Sequence, residues 1–573
     1  MAIDPMGTNL IHRGVEQKVV SLPMMSVGLR FSREPEYSLH VEREDICVVC
    51  GSIFEHPFDR GSNLASELLH GFRKEGAGIF SDCHGQFSAA VFLSGRLVLV
   101  RDSAGNSPIA YAVAGGKVYF ATEPKAVIVS AGIDRRLRPD ALAQYLSLSY
   151  IPAPRTALEK MNQVVAGSCV EFTFNDGGVV ESCQSFFDFE RYEHPYDTAF
   201  EPETDARAAG WVRRTQDLVH QAIVDRLPPK GQVASFLSGG LDSSIVTAEL
   251  ARLCPERLTV YAIHFGENYP NELEFAREVA KRIDVNLEEV EMDPKMMAAE
   301  LPRVIRHLDE PIGDPITAPN FLISQLASEF SDYAFNGEGG DPLFGGPKTI
   351  PMLLQHWYSV PSDARNRERW YLESYRRAYE EVFRLMDLDF ASCIEPVRDL
   401  EGLFRPFFEQ EPPRLFLNKL MSINIRMKGA NLILPKVDRM YGAHGLQACN
   451  PLFDSRLIEL SFAMPGRMKF HRGIEKWVLK EAYRGWLPKS VIDRPKSGMR
   501  VPVHFWFEKE LKRLSRRILD KDVLKKSGIW NYARVKQLLD YNIEEGHGRY
   551  GLRLWMLITF ELWRRLVINR EEF

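Results

Sequence analysis

The chain has 573 residues, 45% of them hydrophobic and 26% charged, enough for two or three domains that each bury a core, which excludes a disordered or fibrous protein. Lys and Arg number 72 against 77 Asp and Glu, a formal net charge of -5, so the chain as a whole exerts no pull toward nucleic acid or an anionic membrane. No apolar run approaches the roughly 18 to 20 residues that span a bilayer, and MAIDPMGTNLIHRG lacks the apolar segment of a signal peptide, so a cytoplasmic location is expected. The eight cysteines (47, 50, 83, 169, 183, 254, 393, 449) are scattered through apolar or mixed segments, as reduced thiols are. Cys47 and Cys50 have no second pair at zinc spacing.

From about residue 26 to 190 short alternating or apolar runs, SVGLRF, ICVVCGSIF, QFSAAVFL, RLVLVRD, KVYFAT and SCVEFTF, are bounded by Gly, Asp, Asn and Ser turns, the pattern of antiparallel strands in a sandwich. FFDFERYEHPYDTAFEPETDA reads as a connector over a surface, and a boundary near 200 divides the chain into domains 1–200 and 201–573. The pattern then becomes an amphipathic helix (207–227), the strand VASFL, a helix from about 243, the strand LTVYAIHF, a helix from about 271, and YAFNG. Such alternation predicts a parallel sheet covered on both faces. From 351 onward helical patterns dominate, including RERWYLESYRRAYEEVFRLM and LRLWMLITFELWRRLVI, an α-helical lobe packed on that sheet. The fold class is thus a two-domain combination of α+β and α/β. His264 and His307 lack a partner at metal-ligand spacing and read as local hydrogen-bonding groups.

Leu237 ends the apolar strand, and Ser238-Gly239-Gly240-Leu241-Asp242-Ser243-Ser244 follows it and opens a helix. Two glycines let the backbone approach a ligand, while the amides of the turn and helix N-terminus and the three serine hydroxyls suit pyrophosphate-like oxygens. Asp242 would offer Mg²⁺ an oxygen ligand. The string resembles the PP-loop of ATP pyrophosphatases, which split ATP between the α and β phosphates, and it lacks the GxxxxGK[ST] spacing of enzymes that transfer the terminal phosphate. About a hundred residues on, Asn336-Gly337-Glu338-Gly339-Gly340-Asp341-Pro342-Leu343-Phe344-Gly345-Gly346 follows a second strand-like run. In a doubly wound sheet the two loops can converge, with Gly337, Gly339 and Gly340 beside the nucleotide and Asp341 as second Mg²⁺ ligand.

With Asp309-Glu310-Pro311, Lys436-Val437-Asp438-Arg439-Met440, Asn450-Pro451-Leu452-Phe453-Asp454, Glu475-Lys476-Trp477 and Arg494-Pro495-Lys496-Ser497-Gly498, the order and spacing resemble the asparagine synthetase family from about residue 45 to 505. The resemblance implies an N-terminal class II glutamine amidotransferase-type β-sandwich, a C-terminal PP-loop synthetase domain, and ATP and Mg²⁺ as cofactors. It also implies a reaction in which a carboxylate attacks ATP to form an acyl-adenylate and an amine then displaces AMP. Lys476 matches the family lysine that neutralises the departing pyrophosphate, Lys496 is a weaker candidate for pyrophosphate contact, and Glu338 matches the acid that handles the attacking nitrogen. Asp309 and Glu310 join the catalytic candidates on the same resemblance. The partners implied are a small carboxylate and an amine, with no nucleic acid or membrane; a homodimer is left open.

Glutamine-using members carry, after Met removal, an N-terminal cysteine as nucleophile; the first cysteine here is Cys47, and Met6, Met24 and Met25 are not followed by Cys. Where the family has Asn-Gly-Glu-Ile-Tyr-Asn this chain has Cys50-Gly51-Ser52-Ile53-Phe54-Glu55, and His84-Gly85-Gln86-Phe87 offers a histidine in place of a glutamine-holding Asp. A first domain that does not hydrolyse glutamine is therefore expected, as in β-lactam synthetases and lasso-peptide cyclases, which close rings with an internal amine. Glu338 and KVDRM look closer to asparagine synthetase, yet Gln447-Ala448-Cys449-Asn450 stands where Glu-x-Arg-Val is usual, which is expected to alter the substrate pocket. The leading expectation is an AMP-forming, lactam-closing amide synthetase of natural-product biosynthesis. The alternatives are an ammonia- or amine-dependent intermolecular synthetase, a lasso-peptide macrolactam cyclase and a non-catalytic nucleotide-binding scaffold.

Overall fold

Alternation explains the first sheet. In β4 (Asp45–Glu55) Ile46 and Val48 fall in one buried cluster and Cys47 and Val49 in another, so the run Ile46–Val49 is continuously apolar because both its faces are covered. The structure, a computed structural model, describes residues 6, 8, 10–13, 16–31, 37–57, 63–130, 132–193, 200–346, 349–358, 366–375, 377–394, 400–495, 498–540 and 550–571. With β1 (Glu16–Ser21), β2 (Ser26–Phe31), β3 (Tyr37–Glu42), β5 (His84–Leu93), β6 (Arg96–Arg101), β7 (Ala110–Ala114), β8 (Lys117–Ala121), β9 (Met161–Gln163), β10 (Ser168–Asn175) and β11 (Gly178–Ser185), the first domain is wholly antiparallel. A six-stranded sheet runs β11-β10-β6-β5-β4-β3. One of its faces packs on residues of the β1–β2 hairpin and of the β8-β7-β9 sheet, and the other on α1 (Leu64–Glu75). The expected antiparallel sandwich is present.

The second sheet is parallel throughout and runs β14-β13-β12-β15-β16, where β12 is Val233–Phe236, β13 Leu258–His264, β14 Leu287–Glu291, β15 Tyr333–Phe335 and β16 Gln447–Cys449. The strand order reverses between β12 and β15, and in such sheets ligands bind at the carboxyl ends of the strands flanking the reversal. Both Gly-rich loops emerge there. Neither β14 nor β16 is legible in the sequence. Glu288 and Glu289 give β14 an exposed edge face, and β16 is three residues long, held by pairing Gln447 with Tyr333 and Cys449 with Phe335.

The helices around the second sheet and the domain junction include α2 (Pro124–Ile128), α3 (Pro139–Leu148), α4 (Arg207–Arg226), α5 (Leu241–Leu253), α6 (Leu273–Ile283), α7 (Pro294–Leu308), α8 (Thr317–Ser328), α9 (Gly340–Phe344), α10 (Leu434–Gly442), α11 (Trp477–Tyr483) and α12 (Tyr550–Trp563). The long helical pattern around 367–386 is divided into Arg367–Tyr375 and Val382–Leu385. From Trp555 to Trp563 every residue of α12 is buried, which accounts for its aromatic run. Val127, Ile128 and Leu142 of the first domain share one apolar cluster with Leu301 of α7, Phe321 of α8 and Trp555 of α12, so this core crosses the boundary near 200. Among the described residues no helix is long and apolar enough to cross a membrane.

Candidate active site

β12 delivers the first loop. The amide of Leu237 extends the ladder by donating to the Tyr261 carbonyl at 2.8 Å, and the chain then turns at Gly239, with φ +75°. A Cβ there would lie 2.7 Å from the Glu272 carbonyl oxygen and 2.8 Å from the Ala276 nitrogen, so close packing on α6 as well as the backbone conformation demands glycine. The serines shape the turn. Ser238 Oγ lies 3.0 Å from Ser243 Oγ and accepts from the Gly240 amide at 3.3 Å, while Ser244 Oγ donates to the Gly240 carbonyl at 2.7 Å. Arg494 donates to the Gly239 carbonyl at 2.8 Å from the far side. With Gly240, Leu241, Glu475, Lys476, Lys480 and Val491, it lines a small cavity at the start of α5.

The second loop leaves β15 at Asn336, whose Oδ1 accepts from the Glu338 amide at 2.9 Å and whose Nδ2 donates to Asn450 Oδ1 at 2.7 Å. Its glycines let two backbones meet: a Cβ on Gly337 would lie 2.3 Å from the Ser243 nitrogen, and one on Gly340 would lie 2.2 Å from Asp242 Oδ1. Gly339 packs on Leu452 in the same way. The loops thereby bring Asp242 and Asp341 together around Lys476. Its Nζ donates to Asp242 Oδ2 at 2.5 Å and pairs with Asp341 Oδ1. The Lys476 side chain is 1% exposed and Asp341 is 37% exposed, so the cluster opens to solvent on the Asp341 side.

Two carboxylates from separate loops converging on one cationic point form an oxygen donor pair of the kind that Mg²⁺ shares with phosphate and water. Among the described residues no three ligating His, Cys, Asp or Glu side chains converge, so protein groups alone would leave such an ion incompletely coordinated.

Glu338, 37% exposed, faces Lys436 Nζ at 3.8 Å, and Lys436 in turn meets Asp314 Oδ2 at 3.1 Å. Burial would push the Lys436 ammonium down, but Asp314 and Glu338 outweigh it and hold it above its ordinary value. Burial likewise favours a protonated Asp314, yet Lys436 and Arg377 hold its carboxyl down at about 2. Sequence reasoning passed over Asp314 and used Lys436 only as part of a family string. The available signal was an Asp-Pro pair three residues after Asp309-Glu310-Pro311 and just before a helix.

Asp309 and Glu310 are not brought to this cluster. Asp309 lies between the domains, 2.5 Å from Arg439 Nε and 2.9 Å from Lys125 Nζ, and its carbonyl accepts from Trp563 Nε1 at 2.6 Å. Glu310 accepts from the Ala157 amide at 2.8 Å, and burial pushes its carboxyl up to about 8. Both line an interdomain cavity with Pro108, Pro124, Gln163 and Asn431. Their side chains lie at the domain junction, apart from the Lys476 cluster. Lys496 lies outside the described residues.

The first-domain positions that depart from the glutamine-using pattern also face the second domain. The Arg226 guanidinium lies over the Phe54 ring at 4.6 Å, donates to Gln86 Oε1 at 2.5 Å and pairs with Asp454 at 2.8 Å. His84 Nδ1 lies 2.7 Å from Ser455 Oγ, and Glu55 pairs with Arg456 at 3.1 Å. Cys449 is buried with Sγ 3.9 Å from the Arg226 carbonyl oxygen. Its carbonyl accepts from the Asn336 amide and Nδ2 at 3.3 Å, so Cys449 touches both the start of the second loop and Arg226. Burial pushes the thiols of Cys47 and Cys83 up to about 12 and those of Cys50 and Cys169 up to about 11, the reverse of nucleophile activation.

Two family models match the chain: asparagine synthase over residues 214–565 and a glutamine amidotransferase domain over residues 56–186. The chain belongs to the asparagine synthase family. It is 25% identical over 520 residues to asparagine synthetase [glutamine-hydrolyzing] 1 of Bacillus subtilis (strain 168), covering 86% of this chain and 79% of that relative. To asparagine synthetase [glutamine-hydrolyzing] 3 of the same organism it is 24% identical over 466 residues, covering 77% and 71%. A solved NH3-dependent NAD synthetase from Campylobacter jejuni matches 38% of this chain and 100% of its own at 13% identity, with a TM-score of 0.19, too low to carry anything over. The protein is an asparagine synthetase-like, ATP-dependent carbon–nitrogen ligase.

Proposed function

We propose that the protein adenylates a substrate carboxylate, releasing pyrophosphate, and joins it to an amine from a source other than glutamine, as an intramolecular lactam closure in natural-product biosynthesis. One contrast carries this reading. The Lys476–Asp242–Asp341 cluster stands complete beside the nucleotide loop, whereas Phe54, Glu55, His84 and Gln86 are engaged by Arg226, Arg456 and Ser455.

Asp242 and Asp341 are the residues that would hold Mg²⁺, which when bound neutralises phosphate charge. The turn amides and the N-terminus of α5 receive phosphate oxygens. The substrate carboxylate oxygen bonds to the α phosphorus as the bond to the β-phosphate oxygen breaks, and Lys476 offsets the charge of the departing pyrophosphate. The amine nitrogen then bonds to the acyl carbon, the bond to AMP breaks, and Glu338 accepts the proton that the amine must lose. Lys436 faces that carboxylate with its positive charge. Retention of Glu338 equally favours a second reading, an intermolecular synthetase that deprotonates ammonia or a separate amine.

Pyrophosphate release from ATP and Mg²⁺, measured with a panel of amino acids, N-substituted amino acids and short peptides, tests both. Release without added nitrogen, with a product one water lighter than its substrate, is the expected result. Strict dependence on ammonia or a second amine selects the intermolecular reading, and stimulation by glutamine overturns the proposed nitrogen source.

A further inference from the structure

The domain junction contains a closed ring of alternating charges, and one member of it comes from near the start of the chain. Glu123 pairs with Lys125, Lys125 with Asp309 at 2.9 Å, and Asp309 with Arg439 at 2.5 Å. Arg439 pairs with Asp438, Asp438 with Arg13 at 2.8 Å, and Arg13 with Glu123, which closes the circuit. Three carboxylates thus alternate with three cations. The side chains of Glu123, Asp309 and Arg439 are buried, whereas Arg13 is 24% and Asp438 26% exposed, so the link between Arg13 and Asp438 is the outer edge of the ring.

Arg13 is delivered by the short turn Ile11–Arg13. Its amide donates to the Leu10 carbonyl at 2.9 Å, His12 meets Glu123 at 3.1 Å and sets its ring edge-on to that of His307, and Met6 packs on the apolar cluster that the domains share. The guanidinium grips Asp438 with both terminal nitrogens, Nη1 to Oδ1 at 3.3 Å and Nη2 to Oδ2 at 2.8 Å, the bidentate geometry that fixes direction as well as distance. It also fills the space left by a missing side chain: a Cβ on Gly442 would lie 2.0 Å from Arg13 Nη1 and 2.3 Å from Cζ. One side chain therefore holds α10 both at Asp438 and at its last residue.

The same helix carries Lys436, which meets Asp314 at 3.1 Å and faces Glu338 at 3.8 Å. Asp438 follows it by two residues, about 3 Å along the helix axis, so a shift of one moves the other. Without Arg13 the ring keeps three carboxylates and two cations. A buried carboxylate that loses its cation is strongly destabilised, and Arg439 already stands 3.8 Å from Glu123; movement of Arg439 toward it would draw α10 along.

We propose that Arg13 is a positioning residue for the amine-joining step: by closing the ring it fixes α10 in the register at which Lys436 faces Glu338. This rests on the adenylating reading of the site. The Lys476 cluster, built from α5, α9 and the start of α11, takes no residue from α10 and lies outside the effect.

The test uses the full chain with ATP, Mg²⁺ and the panel of amino acids, N-substituted amino acids and short peptides, with and without ammonia, at a temperature where circular dichroism shows each variant folded. Isotope exchange between pyrophosphate and ATP reads adenylation, and product mass reads amide formation. Arg13→Ala is expected to slow amide formation about tenfold or more, the cost of a small misplacement of a reacting group, with the exchange rate and KM for ATP unchanged. Arg13→Lys is expected to recover part of the loss. Gly442→Ala displaces the guanidinium without removing a charge, and it favours the helix, so a loss there does not come from a weakened α10. It is expected to give the same split between the two steps, and the double variant to be no slower than Arg13→Ala alone, because both substitutions break one contact. Amide formation by Arg13→Ala at the wild-type rate, equal losses in both steps, or additive losses in the double variant overturn the positioning role and leave the adenylating reading standing. Wild-type protein that supports exchange with no member of the panel overturns the adenylating reading, and the role of Arg13 in it.

Discussion

Lys476 holds a left-handed backbone, φ +54°, a conformation that costs a non-glycine residue about 1–2 kcal/mol, immediately before α11, and its ammonium is shared by two carboxylates from loops about a hundred residues apart. Replacing it with Met removes the cation that pairs with both Asp242 and Asp341. Pyrophosphate formation is expected to fall by about 10² to 10³-fold, the usual loss when one charge-stabilising donor is deleted, as measured by pyrophosphate release at saturating ATP. Gly340→Ala is expected to be as damaging by a different route, since the added methyl would occupy the position of the Asp242 carboxylate; ATP-dependent turnover checks it. At Glu310 the fold retains a proton that the unfolded chain releases above its ordinary value of 4.5, up to about 8. Its contribution to stability is complete below the lower value and is lost as pH rises through the upper one. Glu310→Gln should therefore flatten the fall in Tm between about pH 5 and 8 relative to wild type, as thermal melts across that range would show.

At the scale of elements, α10 joins the reaction cluster to the domain junction. Lys436 near its start faces Glu338 and Asp314; one turn on, Arg439 pairs with Asp309 and Asp438 and donates to the Thr122 carbonyl at 2.6 Å. The junction also holds Arg13, paired with Glu123 and, at 2.8 Å, with Asp438. Removing one member of a buried ionic group strands its partners, so Arg439→Ala is expected to destabilise the protein by about 3–5 kcal/mol, read by denaturant unfolding. The longer strands were legible because alternation or a continuous apolar run persists over several residues, as in β4, β5 and β10. β16 was not, because three residues cannot display a period and its pairing with β15 joins segments more than a hundred residues apart. The strand, glycine turn and helix start at 233–241 were legible for the opposite reason: all their signals lie within ten consecutive residues.

For the whole molecule, the shared apolar cluster of α2, α3, α7, α8 and α12 decides how the halves behave. A fragment of residues 201–573 would expose the surface that Val127, Leu142 and Tyr145 cover, and it is expected to aggregate where the full chain unfolds in one cooperative calorimetric transition. Sequence alone determined the two-domain α+β and α/β architecture, the family, and Asp242, Asp341, Glu338 and Lys476 as candidates, because those rest on local backbone demands and on residue strings. Tertiary structure decided the rest. It placed Asp309 and Glu310 at the domain junction, turned Cys449 against Arg226, and aligned Glu338, Lys436 and Asp314. Each depends on charges far apart in the chain, and a buried ion pair forms only where packing has already excluded water and set the distance.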